Sequence, residues 1–332
     1  MSRLTDQIAT TGFWPLPRAC GPDGAPRRIG IEIEMGGLTE AEVSEIAQRL
    51  LGGDLEHRAP HKFRLTQSAV GTLRIYLDTA YRDSMARMGR LGVDLARNVV
   101  PVEIVTDPLP PESLPEIERL RIALRDGGAA GSRTGIGHGF GVHLNPALAG
   151  TSAADILPVV RSFALLEDWL RMADPIDLTR RVLPFVHRYP RAFVDALARD
   201  GAAWGLEDLW PAYLDHNPSR NRGLDLLPIM AELAPALLLP LQDQLGKLSA
   251  RPAYHYRLPD SRIDEAGWSI AYEHNRWVMV ERVAASPRLL ARLSSDWLDH
   301  RQHLTSLRRD WRLHVEEVLH DAGIAEATWT AP

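Results

Sequence analysis

The stretch Ile29-Gly30-Ile31-Glu32-Ile33-Glu34 decides how this chain is read. Isoleucine at every second position predicts a buried strand. Its alternation puts Glu32 and Glu34 on one face with Gly30, and Ile29, Ile31 and Ile33 on the other. Two ionised carboxylates held close together in a low dielectric repel each other. They stay charged only when a metal ion, an arginine or water compensates them. The stretch therefore asks for a cation, and the plain alternative is the solvent face of an edge strand.

Working outward, residues 1–28 carry scattered Pro and Gly around the pair Phe13-Trp14 and predict an arm laid over the body. After the strand, Gly36-Gly37 turns the chain, and Thr39 with Glu42 predicts a capped helix to about Leu51. Phe63–Leu65 and Leu73–Leu77 alternate around Gly71 as a hairpin. Val99–Val105 is an apolar strand interrupted by Glu103, with Pro101 at an edge or a strand start. An acid there needs a partner, either a metal or one of the arginines, because an unpaired buried carboxylate is costly. A helix over about 112–126 follows, stopped by Gly127-Gly128.

Gly135–Asn145 alternates more strictly than any other stretch. Gly135, Gly137, Gly139 and Gly141 share a face with His143 and Asn145, while Ile136, His138, Phe140, Val142 and Leu144 take the other. A strand without Cβ atoms on one face suits close approach of a ligand to its backbone, which makes the glycine face a candidate ligand floor. From Thr151 the pattern turns helical through about residue 250. Tyr254–Leu258 and Trp277–Val280 then read as strands. A last helix is expected over about 287–320, where Leu290, Trp297, Leu304, Trp311 and Val318 recur every seven residues. That stripe has to be covered by the body or by a second subunit in a homodimer. The expected layout is thus an arm at 1–28, a sheet at 29–150, a helical region at 151–250, final strands at 251–285 and a C-terminal helix at 286–332.

Composition bounds the function. The chain has 332 residues, 45% hydrophobic and 24% charged, with a formal charge of −5. This is globular in type and offers no basic footprint for nucleic acid or an anionic membrane. One cysteine, Cys20, precludes intrachain disulfides and cysteine-based zinc sites. With no signal-peptide pattern and no run of about 20 apolar residues, a cytoplasmic protein is expected. Neither Gly-x-x-x-x-Gly-Lys nor a helix-opening Gly-x-Gly-x-x-Gly is present. Clustered carboxylates, one imidazole and nearby arginines nevertheless suit a divalent ion that holds phosphates.

In their order, the Glu-x-Glu strand, Val102-Glu103-Ile104-Val105-Thr106-Asp107-Pro108-Leu109 and Gly139-Phe140-Gly141-Val142-His143-Leu144-Asn145 resemble the amidoligases, a branch of the carboxylate-amine ligases. Tyr256-Arg257-Leu258-Pro259-Asp260-Ser261 is similar to the Arg-x-Pro-Asp-Ser motif of glutamine synthetase. The resemblance spans roughly residues 29–283. It implies an α+β fold with a curved, mostly antiparallel sheet of the glutamine synthetase catalytic-domain type, backed by helices, with a helical insertion and a long C-terminal helix. It further implies metal ligation by Glu32, Glu34, Glu103 and His143. Gly139, Gly141, His143, Asn145 and Arg257 would bind nucleotide, and Arg257, Arg262 and Glu34 would act in catalysis. Two features depart from the pattern: His255 stands where glutamine synthetases carry a metal-binding Glu, and no Asp-x-Ser turn is found, with Asp78 or Asp83 as substitutes.

The function so implied joins a small-molecule or peptide carboxylate to an amine, using ATP and Mg2+, or Mn2+ in its place. A metal-dependent phosphotransferase or hydrolase, and a non-catalytic scaffold, are the alternatives.

Overall fold

The computed structural model describes residues 4–8, 11–78, 100–135, 138–177, 180, 186–246, 248–303, 305–326 and 329–330. Ile29–Met35 forms strand β1, and Thr39 caps helix α1 (Glu40–Leu51) through the expected box with Glu42. Strands β2 (Asp54–Ala59), β3 (Lys62–Ser68), β4 (Gly71–Leu77) and β5 (Val102–Thr106) precede helix α2 (Leu114–Asp126). Then come β6 (Val142–Pro146), α3 (Ala153–Ala173), α4 (Arg191–Arg199), α5 (Leu206–His216), β7 (Leu224–Asp225) and α6 (Leu227–Leu233). The short α7 (Gln242–Leu245), β8 (His255–Tyr256), α8 (Ile270–Ala284), α9 (Pro287–Gln302) and α10 (Arg308–Asp321) complete the described elements.

The eight strands form one open sheet in the order β2-β3-β4-β5-β1-β6-β8-β7, and every neighbouring pair is antiparallel. The expected α+β class and curved antiparallel sheet are both present. One face is the core. Ile29, Ile31 and Ile33 of β1 are buried there with Ile75, Ile104, Val142 and Leu144. Helices α1 and α2 pack together behind it, and α3 pairs with α8. At the far side, the rings of Phe163 and Trp277 close on Tyr256 of β8. The opposite face carries the acids.

Four expectations change. Trp277–Val280 lies in α8, a helix buried on nearly every side, its charged residues included; such a helix shows no 3.6-residue polar stripe, so a four-residue apolar window of it reads as a strand. The strand expected from Gly135 begins only at Val142, because the preceding glycines form a loop among the described residues. The last helix is two, broken where His303 and Leu307 adopt extended backbone. The helical region also contributes β7 to the sheet. Leu290, Trp297, Trp311 and Val318 are all buried, with α9 against α4 and α10 against α3, so the stripe is covered by the chain itself. Leu304 and Asp83 lie outside the described residues.

Residues of the N-terminal stretch contact α8. The Trp14 amide donates to Asn275 (2.8 Å), and Arg27 forms a two-pronged bond with Glu281 (2.7 and 2.8 Å) in a buried setting. No helix among the described residues is long and apolar enough to cross a membrane.

Candidate active site

Antiparallel register builds the site, because residues directly opposite on neighbouring strands project from the same face. Glu32 on β1 is opposite His143 on β6, Gly30 is opposite Asn145, and Glu34 is opposite Glu103 on β5. Glu103 is opposite Tyr76 on β4. On the other flank Tyr256 pairs with Leu144 on the core face, which sends the adjacent His255 to the acid face, opposite Asp225 of β7. Residues from six strands thus meet over the middle of the sheet.

Around Glu32 the groups are closely knit. His143 Nδ1 lies 2.8 Å from Glu32 Oε2, and Asn145 Nδ2 donates to Glu32 Oε1 at 2.9 Å. Asn145 Oδ1 accepts from Arg251 Nη2 (2.9 Å) and lies 2.7 Å from His255 Nδ1. The two imidazoles meet edge to face at 5.2 Å. Ligand atoms of Glu32, His143 and His255 all fall within 4.8 Å of one another. Burial acts to raise the Glu32 pKa, but the bond to His143 and the neighbouring His255 and Arg251 outweigh it and hold the carboxyl far below the usual range. Burial, reinforced by His143, Arg257 and Arg251, keeps His255 well below the ordinary histidine value. An ionised carboxylate and a neutral imidazole are the states a metal requires.

Glu103 is in the opposite condition. Burial first, then the charges of Glu32, Glu34 and Asp78, push its pKa well up, against the hydrogen bond from Tyr76. Without a cation these surroundings favour its protonated form. Arg257 does not pair with it: its half-buried guanidinium donates to the Arg220 carbonyl and lies in the fields of Asp225 and Glu34. Burial pushes Asp225 up to about 6.

Of the expected metal set, Glu32 and His143 lie in the ligand cluster, while Glu34 and Glu103 flank it. Glu34 Oε1 is 4.0 Å from His143 Nε2, and its Oε2 accepts from the Gly141 amide at 2.7 Å. Gly139 is buried in the approach to β6. The glycine floor is not bare. A Cβ on Gly141 would lie 3.0 Å from both His143 Nε2 and Arg180 Nη2, and one on Gly30 would touch Asn145 at 3.4 Å. These glycines make room for the protein's own site residues. Arg262 does not join the cluster; it bridges Asp174 (2.5 Å) and Glu265.

Sequence reasoning missed Arg251, Tyr76 and Arg180. The buried Arg180 donates to Asp260 (2.7 Å) and to the carbonyls of Arg257, Leu258 and Pro259, latching the segment that carries Arg257. Nothing in the local pattern marks it. His255 had a signal, its position two residues before Arg257, but had been counted as a lost ligand.

The donor set fits a divalent ion on chemical grounds. One carboxylate with two imidazoles leans away from magnesium, which takes oxygen ligands, and toward manganese or zinc.

The chain is an α+β protein: an open antiparallel sheet with a carboxylate–imidazole cluster on one face and helices on the other. A family model described as "Putative amidoligase enzyme" matches residues 25–279, and the chain belongs to that family. Comparison with curated proteins and with solved structures returned no match.

Proposed function

We propose that the chain is an ATP- and divalent-metal-dependent carboxylate-amine ligase with a sheet of the glutamine synthetase type, which forms an amide through an acyl phosphate. The observation that supports it most is the convergence of Glu32, His143 and His255 near the half-buried Arg257, in a chain of the amidoligase family. In this reading Glu32, His143 and His255 hold the ion, which when bound neutralises phosphate oxygens. Asn145 and Arg251 fix the orientation of Glu32 and His255. Arg257, kept in place by Arg180 and offset by Asp225, supplies the fixed positive charge for the transferring phosphoryl group. The substrate carboxylate takes the γ-phosphate from ATP; the amine then attacks the acyl carbon, the C–N bond forms, and phosphate leaves. No side chain needs to act as a nucleophile.

ADP release is measured with Mn2+ or Mg2+ against a panel of carboxylates and amines, with mass spectrometry of the product. The expected result is amine-dependent ADP release and an amide that Glu32→Gln and Arg257→Gln abolish. Turnover that needs no amine would instead favour a metal-dependent hydrolase, the reading to which a two-histidine, one-carboxylate set also lends itself.

A further inference from the structure

A second cavity, of about 930 Å³, shares no lining residue with the sheet-face cluster and lies where α3 and α10 meet the chain before β7. Arg171, Arg188, Arg222, Arg308 and Arg312 line it together with His187, and no acid among the described residues does. Only two carboxylates touch these guanidinium groups among the described residues: Glu167 takes Arg171 (2.7 Å), and Asp168 takes Arg188 (2.8 Å) and Arg308 (2.6 Å). Five guanidinium groups against two carboxylates leave a surplus of three positive charges.

Two of the arginines meet no carboxylate among the described residues. Arg222 donates to the carbonyls of Arg188 and His216, and the Nε atoms of Arg222 and Arg312 are buried without a partner. Burial and the charges of Arg222 and Arg171 hold His187 below its ordinary pKa, which fits an under-compensated positive field. A smaller cavity of about 380 Å³ shares Met172, Pro175 and Arg312 with it and is lined further by Thr5, Arg309 and one acid, Glu316. Guanidinium forks match carboxylate and phosphate oxygens two at a time, and the volume is that of an ordinary ligand pocket.

We propose that this cavity binds a multivalent anion carrying two or more carboxylate or phosphate groups. The site does not depend on the ligase reading. Isothermal titration of the full chain at low ionic strength tests it with two probes, triglutamate and inorganic pyrophosphate, each against wild type, Arg222→Gln, Arg312→Gln and Glu32→Gln. The expected result is saturable one-to-one binding of at least one probe. Arg222→Gln and Arg312→Gln should each weaken it at least tenfold, and Glu32→Gln should leave it unchanged; the tighter probe tells carboxylate from phosphate. Arg312 is partly exposed and has no acid partner among the described residues, so Arg312→Gln and Arg312→Lys keep the test valid if Arg222→Gln fails to fold. Absence of binding by both probes, undiminished binding in Arg312→Gln, or loss of binding in Glu32→Gln overturns the proposal.

Discussion

Glu103→Gln should stabilise the metal-free protein, and more so as the pH rises. Glu103 is 8% exposed, faces Glu34 across the β1–β5 ladder, and has its pKa raised by burial and by Glu32, Glu34 and Asp78. A carboxyl whose pKa is raised on folding binds its proton more tightly in the folded chain. Its contribution is therefore greatest below the ordinary value of 4.5 and is lost as pH climbs toward the raised one. One proton corresponds to about 1.4 kcal/mol for each pH unit inside that window. Gln keeps the shape and a group for Tyr76 to bond, but has no proton to lose. Urea unfolding of both proteins in chelator, at pH 5, 6 and 7, should show the variant gaining on wild type as the pH rises, by up to about 1.4 kcal/mol per unit. Saturating Mn2+ should shrink that slope if the Glu103 carboxylate faces the ion. A gap that is constant with pH, or that narrows as pH rises, would falsify the account of Glu103 as a proton-loaded acid.

Asn145→Ala removes the amide that orients both Glu32 and His255, and should weaken Mn2+ binding about 10- to 100-fold, as read by electron paramagnetic resonance titration, with the fold intact by circular dichroism. Gly141→Ala pushes a methyl group against His143 and Arg180 at 3.0 Å and should lower stability by about 1–3 kcal/mol in urea melts while reducing metal affinity. Arg27→Ala strands Glu281 in the interior, where the pair is 1% and 5% exposed, and should lower stability by about 3–5 kcal/mol. Unchanged unfolding in Arg27→Ala would mean that the arm is not anchored through this pair.

What could be read from the sequence was local. Thr39 and Glu42 cap a helix within one turn, and Ile29–Glu34 carries its faces in its own alternation. Strand β2, Asp-Leu-Glu-His-Arg-Ala, escaped because it is a largely exposed edge strand whose pairing comes from β3 rather than from a buried face. Helix α8 was misread because its charges are buried as well: Glu273 meets Arg276 and Glu281 meets Arg27, so no polar stripe marks a helix. The same division holds for the site. Glu32, Glu34, Glu103 and His143 stand out in their own stretches, whereas His255 takes its face from the pairing of Tyr256 with Leu144, which only the folded sheet defines.

Charge on the sheet face is settled by two different means on its two sides. From β1 to β8, Glu32 stays ionised because His143, Asn145 and Arg251 surround it. From β1 to β4, Glu103 has no such company, and burial with the neighbouring acids favours its protonated form beside Tyr76. Glu34 sits between them, with one oxygen tied to the Gly141 amide and the other 4.0 Å from His143. A cation entering at Glu32 would therefore lower the cost of ionising Glu103 across the ladder, and the proton that leaves would carry the metal dependence into a pH dependence. Such coupling needs the two acids on adjacent strands with one carboxylate between them, and the register Glu34 to Glu103 and Glu32 to His143 supplies that spacing.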